Sequence, residues 1–366
     1  MRIVLAPDSF GGMLAADEVA LALAAGWHET AAADQLVLAP LSDGGPGLLR
    51  ALTASLAGEL YDVDVVGPTG RGELAQVFRS GATGYVESAL GCGLDLLRAE
   101  SGDVRTATTY AVGQLIAAAA APSEVDTVVV GLGGSGTNDG GAGMWAALGA
   151  EPAELLRGGG LALNGLDLVS LPRPLGVRLV AATDVDNPLL GLHGASAAYG
   201  PQKGADRAAV MALDIALEHW ADLVEAKTGL AGVRHAGGAG AAGGLGFGLL
   251  ALGGERVSGI DLVMGAVGLQ EKVDGADLVV TGEGRFDATS LRGKVAAGVA
   301  RIAQQAGVPC VVAAGQASVG VRDAAASGID EVFSVAQLLG SVDAAMAAGT
   351  AGVRELGRQV ARSWSR

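Results

Sequence analysis

The sequence predicts an α/β protein of two domains: a flavodoxin- or Rossmann-like doubly wound domain built from both chain ends, and an α/β domain inserted between its halves. Three observations carry this expectation. Short β-branched runs alternate with helix candidates at both ends of the chain, the pattern of a parallel sheet with helices on both faces. Short segments of alternating polarity interrupt that pattern soon after residue 60 and read as an antiparallel meander. Finally, 60 of the 366 residues are Gly, while 50% are hydrophobic and only 4% aromatic, so the interior is expected to be Ala, Val and Leu packed close to backbone. The length suffices for two cores. The expected boundaries are 1–59 with 262–366 for the doubly wound domain and 60–261 for the insert, with the active site in the cleft between them.

The elements follow in order. A strand at 3–6 leads to a helix over 15–28, and a strand at 36–40 to a helix over 46–57. The meander runs through 62–65, 76–79 and 84–87. Next comes Val128–Val129–Val130, an apolar run that breaks into Gly131–Leu132–Gly133–Gly134–Ser135–Gly136–Thr137–Asn138–Asp139–Gly140 before a helix from about 142 to 148. The β-branched run favours a buried strand, and glycines let backbone N–H groups approach an anion closely. A following helix would add positive potential at its N-terminus. A strand at 179–182 runs into Thr183–Asp184–Val185–Asp186–Asn187–Pro188. The uncharged stretch 236–254 is long enough almost to span a bilayer, but its glycines make it a loop leading into a buried helix at 247–252. Strands at 278–281, 310–314 and 332–335 and helices over 295–306 and 352–364 complete the alternation.

Two nucleotide motifs fail. Gly131, Gly133 and Gly136 have the glycine spacing of the dinucleotide fingerprint, but no acidic residue closes a second strand about 20 residues on. A Walker loop is excluded because Gly293–Lys294 is preceded at the required offset by Ala288 and followed by Val295. The net charge of −15 leaves no basic stripe for nucleic acid. An anionic small substrate would need N–H dipoles, a metal and a few placed cations; the only lysines are Lys203, Lys227, Lys272 and Lys294. Cys92 and Cys310 form no disulfide framework, which suggests a reducing compartment, and the N-terminus lacks signal-peptide character. The expectation is a cytoplasmic protein without a membrane partner; monomer and homodimer both stay open.

Polar residues recur where strands end, in APDSF (6–10), SDGG (42–45), GLGGSGTNDGGAGM (131–144), DVDNPLLG (184–191), GPQKGA (200–205), GAGAAGGLGFGLLAL (238–252) and TGEGRFD (281–287). Over essentially its whole length the chain resembles the bacterial glycerate kinases of the glycerate kinase type-1 family. The resemblance implies phosphorylation of D-glycerate to 2-phosphoglycerate, with ATP and Mg²⁺, on a two-domain α/β scaffold. It departs from the family in two loops: DSFKGS becomes Asp8–Ser9–Phe10–Gly11–Gly12–Met13, and DGGEGT becomes Asp43–Gly44–Gly45–Pro46–Gly47–Leu48. A lysine and a glutamate lost together suggest a deleted ion pair, which costs less to remove whole than by half. An alternative therefore stands beside the kinase: a family member without catalysis or with another acceptor.

Phosphoryl transfer asks mainly for positioning and charge neutralisation. The expected nucleotide and phosphate contacts are Gly133, Gly134, Ser135, Thr137, Asn138, Gly243 and Gly244. Asp184, as base, Lys203, Asp43 and Lys294 are the catalytic candidates. Asp8, Ser9, Asp186, Asn187 and Arg285 are assigned to substrate, and Asp139 and Glu283 to metal.

Overall fold

The computed structural model describes residues 1–291 and 293–365. Its strands in chain order are β1 (Arg2–Pro7), β2 (Gln35–Leu38), β3 (Glu59–Val66), β4 (Gly72–Ser80), β5 (Thr83–Glu87), β6 (Thr127–Gly131), β7 (Arg178–Ala182), β8 (Glu255–Val257), β9 (Leu278–Gly282), β10 (Arg285–Phe286), β11 (Cys310–Ala314), β12 (Gln316–Ala317) and β13 (Glu331–Ser334). The chain divides into two compact units, one of Met1–Asp43, Arg50–Leu56 and Ile260–Arg366, the other of Gly44–Leu49 and Ala57–Gly259.

The first unit carries a five-stranded sheet in the order β13-β11-β9-β1-β2, with every pairing parallel. Numbered within this sheet the order is 2-1-3-4-5, the flavodoxin-like order, whose switch point lies between β1 and β9. Strand alternation turns Ile3, Leu5, Val280, Val311 and Ala313 to one face, where they share a core with Val19, Leu23 and Trp27 of helix Ala16–His28 and Val353, Leu356 and Val360 of helix Val342–Trp364. Those two helices cross closely because they meet at glycines: a Cβ on Gly26 would stand 1.8 Å from the Arg354 carbonyl oxygen. Helix Val295–Ala306 packs against β1, β9 and β11 with Val299, Ala300 and Ala303 buried.

The second unit holds a six-stranded sheet in the order β3-β4-β5-β6-β7-β8. The meander β3-β4-β5 is antiparallel, and β5 through β8 pair parallel. Its core gathers Val77, Val86, Val128, Val130 and Phe247 around Trp145 and Trp220, whose rings meet edge to face at 5.4 Å.

Several elements depart from expectation. Helix Leu48–Thr53 is shorter than the predicted 46–57, since Gly44 and Gly47 adopt positive φ before it and hold those residues in a loop. The helical stretch Ala241–Leu250 begins with three left-handed residues, Ala242, Gly243 and Gly244, instead of an open loop. The last helix starts at Val342, ten residues early, where the Ser341 side chain caps it by accepting from the Ala344 N–H, and it is broken at Gly349 (φ 50°, ψ −130°), a conformation reserved for glycine. No helix among the described residues is long and apolar enough to cross a membrane.

Candidate active site

In the first unit, the carboxyl ends of β1 and β9 bring acids together. The chain leaves β1 through Asp8, whose N–H donates to the Gly282 carbonyl at the end of β9 (2.8 Å). Burial, the nearby Asp43 carboxylate and, more weakly, Glu283 push the Asp8 carboxyl up to about 7, against the Ser9 N–H that donates to its Oδ1 (2.6 Å). Glu283 is itself raised, chiefly by burial; its Oε2 lies 3.4 Å from Lys294 Nζ, and its Oε1 is buried with no partner. Gly284 lets this loop lie on the other, since a Cβ there would come within 2.9 Å of the Phe10 backbone. Arg285 points into solvent, 70% exposed, and pairs with Asp287 at 3.2 Å. Asp8, Ser9, Asp43, Glu283 and Lys294 thus gather, while Arg285 faces outward.

In the second unit, β6 delivers the glycine loop. Backbone on backbone explains its glycines: a Cβ on Gly131 would meet the Gly44 oxygen at 2.3 Å, and one on Gly133 the Gly45 Cα at 2.6 Å. Gly134 (φ 65°) lies under Pro46, whose Cγ would be 2.5 Å from an added Cβ. Gly133 and Gly134 form the accessible tip of the loop, and Ser135 through Asp139 are buried.

Buried groups hold that loop from behind. Lys203 Nζ donates to the Thr137 carbonyl (2.7 Å) and to Ser135 Oγ (3.0 Å). Burial pulls this lysine down to about 8, opposed by the neighbouring Cys92 and Asp139. Asn138 donates to Ser196 Oγ at 2.8 Å, whereas Thr137 Oγ1 is buried without a partner.

Three of the expected contact sets are engaged within the fold. Asp139, expected to hold metal, is fully buried and accepts from the Thr109 N–H (2.8 Å) and hydroxyl (2.9 Å) and from the N–H groups of Gly141 (3.1 Å) and Gly143 (3.2 Å). With both oxygens bonded inside the fold, it anchors the loop. Gly243 and Gly244, expected to meet phosphate, pack against that loop: added Cβ atoms would stand 1.9 Å from the Thr137 oxygen and 2.7 Å from the Gly140 Cα. Asn187 spends its amide on its own turn, donating to the His193 carbonyl (2.7 Å) and accepting from the Tyr199 hydroxyl (2.7 Å). Asp184 is exposed just beyond β7, and the exposed Asp186 pairs with Arg256 at 2.7 Å.

Sequence reasoning missed Glu87. At the end of β5 it is buried and accepts from the Gly47 (3.0 Å) and Leu49 (3.1 Å) N–H groups, so it tethers the segment that covers the glycine loop; burial raises its carboxyl. An acid closing an apolar strand was the available signal.

Comparison with known proteins agrees with the motifs. The model of the glycerate kinase family matches residues 3–365. A glycerate 2-kinase of Escherichia coli (strain K12) is 41% identical over 356 residues, covering 94% of this chain and 93% of that protein. A glycerate kinase of Halalkalibacterium halodurans is 39% identical over 377 residues, covering 100% of this chain and 99% of that protein. A solved structure from Salmonella typhimurium LT2, provisionally assigned as glycerate kinase 2, superposes with a TM-score of 0.82 at 37% identity, covering 99% of this chain and 98% of that one. The chain belongs to the glycerate kinase family.

Proposed function

We propose that this protein transfers the γ-phosphoryl group of ATP to the 2-hydroxyl of D-glycerate. The observation that carries the reading is the group of acids at the β1/β9 switch point, in a chain 41% identical to a protein named glycerate 2-kinase. The raised Asp8 and Glu283 carboxyls and the unpartnered Glu283 Oε1 describe a place where Lys294 and Ser290 offset the negative charge only in part. That donor set fits Mg²⁺, which takes hard oxygen ligands and commonly only one or two carboxylates beside phosphate and water. Asp8 and Glu283 would hold the ion, which supplies charge neutralisation to the phosphate oxygens. Lys294, beside Glu283, is positioned to add a cation to the same locality.

The accessible Gly133–Gly134 tip is proposed to receive phosphate on backbone N–H groups, with Lys203 and Asp139 fixing its shape from within. Asp184 is proposed to take the substrate hydroxyl proton, which in a loose transition state is needed only late. A second reading, an altered acceptor, is favoured by Pro46 lying on Gly134 and by Gly11 occupying a left-handed conformation in open space. The deciding experiment is phosphorylation of D-glycerate with ATP and Mg²⁺, the product identified by phosphorus NMR. Formation of 2-phosphoglycerate supports the first reading; ATP binding without glycerate turnover overturns it in favour of the second.

A further inference from the structure

A cavity of about 220 Å³ opens at the carboxyl ends of the strands of the first unit. Phe10 and Met13 line it from the loop after β1, Gly284 from the loop after β9, and Val335, Ala345 and Met346 from beyond β13. The wall is largely apolar, and two of the loops that form it also carry the acids. Phe10 lies two residues beyond Asp8, Gly284 follows Glu283, and the two loops touch. Met13 and Met346 are each about half exposed, at 49% and 54%, so the cavity presents two flexible, polarisable side chains to solvent.

We infer that this cavity receives the adenine base of ATP. The inference rests on the reading of ATP as phosphoryl donor. Glycerate, phosphate and Mg²⁺ have no apolar face to bury, whereas a purine is flat and apolar with a polar edge. Open parallel sheets bind ligands beyond the carboxyl ends of their strands, and this cavity lies there, reaching from the β1 and β9 loops of the switch point over the ends of β11 and β13. Methionine sulfur makes favourable contacts with aromatic rings. Gln316, which also lines the cavity, offers polar groups to the edge of a base or to its ribose. The break at Gly349 lets the segment carrying Ala345 and Met346 leave the axis of the remaining helix and form part of the wall.

Calorimetry with ADP, and separately with inorganic tripolyphosphate, tests this on the full chain. Ala345→Trp fills the cavity from a partly buried position, and Met346→Asp places a charge on its wall from an exposed one, so at least the second variant is expected to fold. Both should weaken ADP binding by roughly tenfold or more while leaving tripolyphosphate binding unchanged. Unchanged ADP affinity in a folded Met346→Asp variant, or a parallel loss of tripolyphosphate affinity, overturns the base site alone. Failure of the unaltered protein to bind ADP or ATP removes the donor reading, and the base site with it.

Discussion

Lys203 offers the sharpest test of how the glycine loop is built. Its ammonium donates to one carbonyl and one hydroxyl, both in the loop and both buried, and it is itself only 7% exposed. The geometry makes it a brace, although its residue type and motif suggested a catalytic cation. Lys203→Met keeps the apolar stem and removes the donor. Each acceptor left unpaired costs about 1–3 kcal/mol, partly offset by loss of a buried charge, so the variant should lose about 2–4 kcal/mol. Urea unfolding measures this. The pH dependence has a definite sign, because burial lowers the folded-state pKa to about 8 from the ordinary 10.5. The unfolded chain then binds more protons between those values, and stability contributed by Lys203 grows as pH rises from about 8 towards 10.5 and is lost as pH falls through about 8. The difference between the unaltered protein and Lys203→Met should widen across that window. A variant that keeps its stability within about 0.5 kcal/mol but loses turnover a hundredfold or more would refute the brace, because the ammonium would then be acting on substrate.

Other expectations follow from the same geometry. Asp139→Asn exchanges a carboxylate that accepts four hydrogen bonds for an amide that cannot match them, and should destabilise by about 2–4 kcal/mol, read from the unfolding midpoint. Asp184→Asn should lower kcat at least roughly a hundredfold with an unchanged melting temperature; a near-normal rate with a lowered melting temperature would assign it to the turn. Gly134→Val forces a branched residue into positive φ and against Pro46, so ATP affinity should fall in the folded variant, with calorimetry as the check. Glu283→Gln should weaken Mg²⁺ affinity, seen as a higher Mg²⁺ concentration at half-maximal rate, if its buried Oε1 is a ligand.

What could be read from the sequence was local. The strands expected at 3–6, 278–281 and 310–314 are found as β1, β9 and β11, since each is a β-branched or apolar run closed by a residue that ends pairing. The family followed from long motifs and is borne out by the comparisons. Helix Tyr110–Ala120 escaped notice because its alanines, glycine and β-branched residues carry little polar contrast. Helix Arg207–Thr228 was not anticipated either, despite Asp206 capping it through the Ala209 N–H at 2.7 Å.

Candidate residues were legible in the sequence, but their contacts with one another were not, because those contacts join distant positions. Lys203 reaches Ser135 and Thr137 across 68 and 66 residues, and Asp139 is satisfied by Thr109 30 residues upstream. A glycine in a phosphate-like motif looks the same in sequence whether its missing side chain makes room for an anion or for another strand of backbone. Here the two cases separate within one loop. Gly131, Gly243 and Gly244 are required by neighbouring backbone, while Gly133 and Gly134 also remain accessible from outside. The acids divide in the same way. Asp139 accepts four hydrogen bonds from within the fold, whereas Glu283 keeps a buried oxygen, Oε1, that accepts none. A buried oxygen left unpaired by its own fold is one that a ligand can partner, and among the acids at the ends of β1 and β9 that oxygen is Glu283 Oε1.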